Sequence, residues 1–212
     1  MNQQLQKRIL SSLILIPITF FFIIQGSIFF IFFLILFFLA TSFEWFNMTK
    51  KNNIIRFFGI VFLFFSFSSA FFVREDYGSN GFLFFIIVCI FTDIGGYVFG
   101  KTFKGPKLTS ISPNKTYTGV IGSFLFSLIA GLVFIKYFWS SETYKTDIDQ
   151  FLVLLIIITI SLVSQIGDLI ISYFKRKAKL KDTGKILPGH GGLLDRIDGL
   201  IFVIPSIYLL SL

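Results

Sequence analysis

Cysteine, histidine and charge are all scarce in this 212-residue sequence. It holds one Cys, one His and 14% charged residues, against 55% hydrophobic ones. The lone Cys89 excludes an intrachain disulfide and a cysteine-built metal cluster. Set in an apolar run, it reads as a small buried hydrophobe. A soluble domain carries about 25% charged residues, and a core of this size cannot hide 32 Phe beside so much Ile and Leu. Water-soluble, disordered and disulfide-stapled classes are excluded, which leaves an integral membrane protein. The net charge of +8 does not signal nucleic acid, because the basic residues fall between apolar segments. There they set topology and meet anionic headgroups.

A spanning helix needs about 20 mostly apolar residues. Candidate spans are 9–24, 27–43, 54–73, 81–100, 118–139 and 150–174, with a shorter one at 199–212. Each must be helical, since an open strand edge in lipid leaves backbone groups unpaired. The expected fold is therefore all-α and polytopic, with about seven transmembrane helices and a polar cavity facing the cytoplasm. Lys7 and Arg8 before the first run imitate a secretory signal. No small-residue cleavage site follows, so a permanent first helix is expected. With the N-terminus inside, sixteen of the nineteen Lys and Arg fall on the inner side, and only Arg74, Lys136 and Lys145 lie outside. That asymmetry is the positive-inside pattern. Residues 1–80 form an N-terminal helical part, and 81–212 contain every chemistry-bearing motif.

Two long inner loops, 101–119 and 175–198, concentrate Gly, Lys, Asp and Ser. The helix before each carries one acid, Asp93 or Asp168. Each acid lies seven residues before the helix end, about 10 Å below the inner surface at 1.5 Å per residue. An intramembrane carboxylate requires a cation or a wet cavity. Neither acid has a basic residue one turn away on its own helix, so a shared cation site is expected. Glu44, beside Trp45, reads as an interfacial residue at the inner end of the second span.

The run Pro188-Gly189-His190-Gly191-Gly192 reads as a turn or as a cradle of backbone N–H groups for an anion. Asp195 and Asp198 follow at i and i+3, on one face of any helix that starts there, with Arg196 between them to clamp a phosphate. Taken together these features read as a divalent-metal and polyphosphate site, with Mg²⁺ suited to carboxylate and phosphate oxygens. His190 is either a general base or a hydrogen-bonding loop residue. Ser112, Lys115 and Thr116 supply hydroxyls and an ammonium before a helix start, a natural phosphate seat. Walker and dinucleotide fingerprints are absent.

Ser172, Lys175-Arg176, Lys181-Asp182, Gly184 and the run from Leu187 to Asp198 together resemble the signature of the phosphatidate cytidylyltransferase (CDP-diacylglycerol synthase) family. Asp93, Tyr97, Gly100-Lys101, Ser112-Pro113, Lys115-Thr116 and Gly167-Asp168 resemble its upstream region. The resemblance implies an inner-membrane enzyme that makes CDP-diacylglycerol and pyrophosphate from CTP and phosphatidate. It further implies Mg²⁺ dependence and a homodimer. On this reading Asp168 and Asp195 take the metal, with Asp198 and Asp93 in support. Lys175, Arg176, Arg196 and His190 complete the catalytic set. Lys101, Ser112, Lys115, Thr116, Ser172, Lys181, Asp182, Gly189, Gly191 and Gly192 bind substrate. Two other readings stay open: a CTP-dependent kinase of a polyprenol-like alcohol, and a transporter using Asp93 and Asp168 as ion-path residues.

Overall fold

The computed structural model describes residues 3–109, 111–138, 150–189 and 191–211, with residues 3–12 described by backbone alone. Seven helices follow in order: α1 Gln3–Gln25, α2 Ser27–Met48, α3 Asn53–Phe103, α4 Tyr117–Phe138, α5 Gln150–Lys177, α6 Leu194–Ile197 and α7 Leu200–Ser211. No strand occurs among the described residues; the only pairings are isolated bridges at Lys107–Thr116 and Leu187–Gly191. Four helices, α2 to α5, are long and apolar enough to cross a bilayer. α7, at 12 residues, reaches only about 18 Å. Large apolar side chains such as Ile28, Phe58 and Phe64 stand exposed on the outside. That arrangement suits hydrocarbon and not water.

The third and fourth expected spans are one element. α3 runs for 51 residues with a single non-helical residue, Gly78, at φ 68 and ψ −178. A loop over 74–80 was the natural expectation, but those residues contain no proline and only glycine breaks the pattern. At about 76 Å, α3 is more than twice the bilayer thickness, so Gly78 divides it into two span-length arms. A Cβ at Gly78 would meet nothing, and its positive φ alone calls for glycine.

Arg74, in the first arm, closes the end of α1. Its guanidinium donates to the Ile23 carbonyl from both Nε and Nη2 at 3.3 Å, and from Nη2 to the Ile24 carbonyl at 3.4 Å. Those carbonyls are ones a helix end leaves unpaired, and in lipid they need a donor.

The second arm of α3 and helix α4 approach backbone to backbone. A Cβ on Gly95 would run into the Gly122 carbonyl, and one on Gly122 would strike the Phe99 side chain. Ser123 Oγ donates to the Thr92 carbonyl at 2.8 Å across the same seam. Small residues that let helices touch, with hydroxyls bridging them, are how helices associate in lipid. Thr92 Oγ1 reaches Ser161 Oγ on α5 at 3.1 Å, so three helices meet at one level. Below them Phe84, Phe85, Val88, Cys89, Ile157 and Ile160 form the main apolar core. Cys89 is buried in it, as its surroundings in sequence imply. Gly122→Leu has nowhere to put its side chain and is expected to cost more than about 3 kcal/mol by overpacking. In detergent micelles its monodisperse peak on size exclusion should fall to a small fraction of the parent's.

Candidate active site

The end of α5, the loop 104–116 and the turn containing α6 converge on one cluster of acids and cations. Asp168, on α5, pairs with Lys115 Nζ at 2.6 Å and accepts from Ser172 Oγ, one turn along, at 3.1 Å. Lys115 also donates to the Gln165 carbonyl at 3.4 Å, which fixes loop 104–116 against α5. Asp198 is buried, accepts from the Gly199 N–H at 3.0 Å and interacts electrostatically with the Asp168 carboxyl. Asp93, accessible on α3, lies within electrostatic reach of Asp168, Lys115 and Arg196. Of the two acids, Asp168 holds the Lys115 ammonium directly, and Asp93 makes no ion pair among the described residues.

Asp195 forms a second node. Its Oδ1 accepts from Lys175 Nζ at 2.8 Å, with only 11% and 7% of the lysine and aspartate side chains exposed. Its Oδ2 accepts from the Gly192 N–H at 3.0 Å, the Thr183 N–H at 2.8 Å and Thr183 Oγ1 at 3.0 Å. Lys175 also acts electrostatically on Asp168 and Asp198, so its ammonium links the two nodes. The helix expected at Asp195 exists, as the single turn α6. Its two acids nevertheless serve different partners, Asp195 the loop and Asp198 the Asp168 carboxyl.

The glycine loop makes its cradle, with Gly189 at φ 80 and Gly191 at φ 88, but part of that cradle is already filled. Its donors meet the chain's own acids: Gly192 N–H meets Asp195, while Leu193 and Leu194 N–H meet Glu44 at 2.9 and 2.8 Å. Glu44 corrects the expectation of an interfacial acid. It is 2% exposed and accepts a third bond from Thr183 Oγ1 at 3.0 Å. The start of α4 is similarly occupied. Thr116 Oγ1 caps the Gly119 N–H, and Tyr117 N–H donates to the Pro106 carbonyl. Ser112 lies in the turn that returns the chain to Lys115, whose N–H meets the Ser112 carbonyl at 3.0 Å.

Lys101 and Arg176 make contacts of their own outside this cluster. Lys101 donates to Tyr97 Oη on the exposed side of α3. Arg176 donates to the Leu180 carbonyl and, with Ile111, Tyr173 and Lys177, lines an open recess of about 510 Å³. Lys181 and Asp182 are exposed, and a Cβ on Gly191 would touch Asp182 at 3.1 Å. His190 lies outside the described residues.

A model described as "Cytidylyltransferase family" matches residues 53–212, which include both nodes. The chain belongs to the cytidylyltransferase family. A phosphatidate cytidylyltransferase from Rickettsia typhi is 35% identical over 211 residues, covering 98% of this chain and 92% of its own length. One from Rickettsia bellii is 34% identical, with coverages of 99% and 92%. A third, from Staphylococcus haemolyticus, is 40% identical over 141 residues, 66% of this chain and 52% of its own.

The cytidylyltransferase site suits a hard divalent cation in its donor type. Asp168 and Asp195 offer carboxylate oxygens, each already paired with a lysine ammonium, Lys115 and Lys175 respectively. Among the described residues, no three Asp, Glu, His or Cys side chains converge on one point. An ion here would find at most one or two carboxylates and would need water or phosphate to complete its shell.

Proposed function

We propose that this chain is a membrane-embedded phosphatidate cytidylyltransferase that transfers CMP from CTP to phosphatidate, giving CDP-diacylglycerol and pyrophosphate. The observation that carries the reading is the pair of ammonium–carboxylate contacts, Lys115–Asp168 and Lys175–Asp195, formed by residues within the span that matches the family. An oxygen of the lipid phosphate forms a bond to the α-phosphorus of CTP as the bond from that phosphorus to the β-bridging oxygen breaks. Both electrons leave with pyrophosphate. The attacking oxygen is already anionic near neutrality, so the step needs no strong base. The obstacle is repulsion between two polyanions, and transfers of this kind are driven by positioning and charge neutralisation.

Lys115, Lys175 and Arg196 supply that neutralisation. The Lys115 and Lys175 ammonium groups can each exchange a carboxylate partner for a phosphate oxygen without leaving the cluster. Arg176, in the neighbouring recess, serves the phosphate that arrives from the lipid side. Mg²⁺, taken by Asp168 and Asp195, would add charge stabilisation on the nucleotide phosphates. Sixteen of nineteen basic residues on one side support an inner-membrane protein of seven crossings, N-terminus and site facing the cytoplasm. There CTP arrives from water and phosphatidate from the bilayer.

The test uses purified protein in mixed micelles with α-labelled CTP, phosphatidate and Mg²⁺. Label is expected in the organic phase and should disappear with EDTA. Label that stays aqueous, while γ-labelled CTP marks a polyprenol, would instead make the chain a kinase.

A further inference from the structure

We infer that Glu44, on α2 and outside residues 53–212 matched by the family model, is a positioning residue that holds the one-turn helix bearing Asp195 and Arg196, with Asp198 just past its end, in its working place. The inference rests on the transferase reading above and assigns a role to a residue that reading does not use.

Three donors converge on this one carboxylate. Oε1 accepts the Leu193 N–H, while Oε2 accepts the Leu194 N–H and Thr183 Oγ1. Among the described residues no Lys or Arg pairs with Glu44, so backbone dipoles and one hydroxyl carry its charge. A buried carboxylate kept under those terms is a costly way to fill space. An amide would present only one accepting oxygen, and its NH₂ would face another donor.

The groups Glu44 holds are the ones next to the chemistry. Leu193 and Leu194 immediately precede Asp195, and α6 has only four residues, too few to be helical without outside support. The Thr183 hydroxyl lies 3.0 Å from both Glu44 Oε2 and Asp195 Oδ2. Having one proton, it serves one carboxylate at a time and spaces the two apart. Glu44 also explains two signature glycines. A Cβ on Gly184 would stand 2.5 Å from Oε1, and one on Gly192 2.5 Å from Oε2. Both glycines clear room for an acid from a distant helix.

The experiment compares the parent with Glu44→Gln, Glu44→Asp, Thr183→Val and Thr183→Ser in the labelled-CTP assay. Each is scored on its monodisperse fraction, with kcat and KM determined separately. Misplacing a reacting group by about 1 Å costs roughly 10²-fold, so Glu44→Gln is expected to lose about 10² in kcat with KM for CTP little changed. Glu44→Asp, which keeps both oxygens, should recover part of the loss. Thr183→Val should lose about tenfold in kcat, and Thr183→Ser should restore it. A folded Glu44→Gln with the parent's kcat overturns the inference, as does a loss confined to folded yield. If Glu44→Gln does not fold, the Thr183 pair decides: equal kcat in Val and Ser variants overturns it. A parent protein that transfers no CMP overturns the transferase reading itself, a result distinct from all of these.

Discussion

Asp195→Asn is expected to abolish CMP transfer, with a fall of at least ~10³-fold, and to destabilise the fold by about 3–5 kcal/mol, the cost of breaking a buried ion pair from one side. The change leaves the Lys175 ammonium, 11% exposed, facing an uncharged group. It also sets an amide among three donors, the N–H groups of Thr183 and Gly192 and the Thr183 hydroxyl. Stability and activity separate in the double variant. Lys175→Met removes the stranded charge, so Lys175→Met with Asp195→Asn should regain much of the lost thermal midpoint and none of the rate. Thermal unfolding in micelles, read beside initial rates, measures that coupling. Recovery of both together would mean that the pair serves only the fold.

Lys115→Met carries the second large effect. Lys115 is the direct partner of Asp168 and acts on Asp93, while Asp198 faces Asp168 from α6's end. Without it three acids share a site and the nearest ammonium is lost to incoming phosphates. A single preorganised donor is worth about 10²–10³ in kcat, and a loss of that size is expected here. The pair is 26% exposed on each side, so the stability cost should be small beside that of Asp195→Asn. A Lys115→Met protein with the parent's rate would remove loop 104–116 from the chemistry.

How far the sequence discloses this architecture depends on how local each cause is. Long, mostly apolar runs give α2, α4 and α5 within a few residues, because span length is a property of one segment. The junction at 74–80 is less legible. Nothing there but Gly78 opposes helix, and whether the chain stays helical depends on what packs against it. Asp93 and Asp168 could be joined from sequence because both are acids at one depth without a local counter-charge. Glu44 carries the same signal, since neither Thr41 nor Met48, its neighbours one turn away on α2, is basic. Its place beside Trp45 at the inner end of the span disguised it as an interfacial residue. The glycine loop was legible as a set of donors, but not the identity of the anion, because that anion lies about 150 residues earlier.

That separation bears on the order of events during synthesis. Leu194 meets Glu44 across 150 positions, and Thr183 meets it across 139. The nascent chain emerges N-terminus first, so α2 is made long before its partners exist. Until then the carboxylate has none of its three donors, and the segment that quenches it is made about 150 residues later. Contacts that close such long loops form late. Assembly of this cluster thus waits until Leu194 has been made, and a chain released short of residue 183 leaves the Glu44 carboxylate unquenched. A quality-control protease reading exposed intramembrane charge would find there a mark that the finished protein does not show.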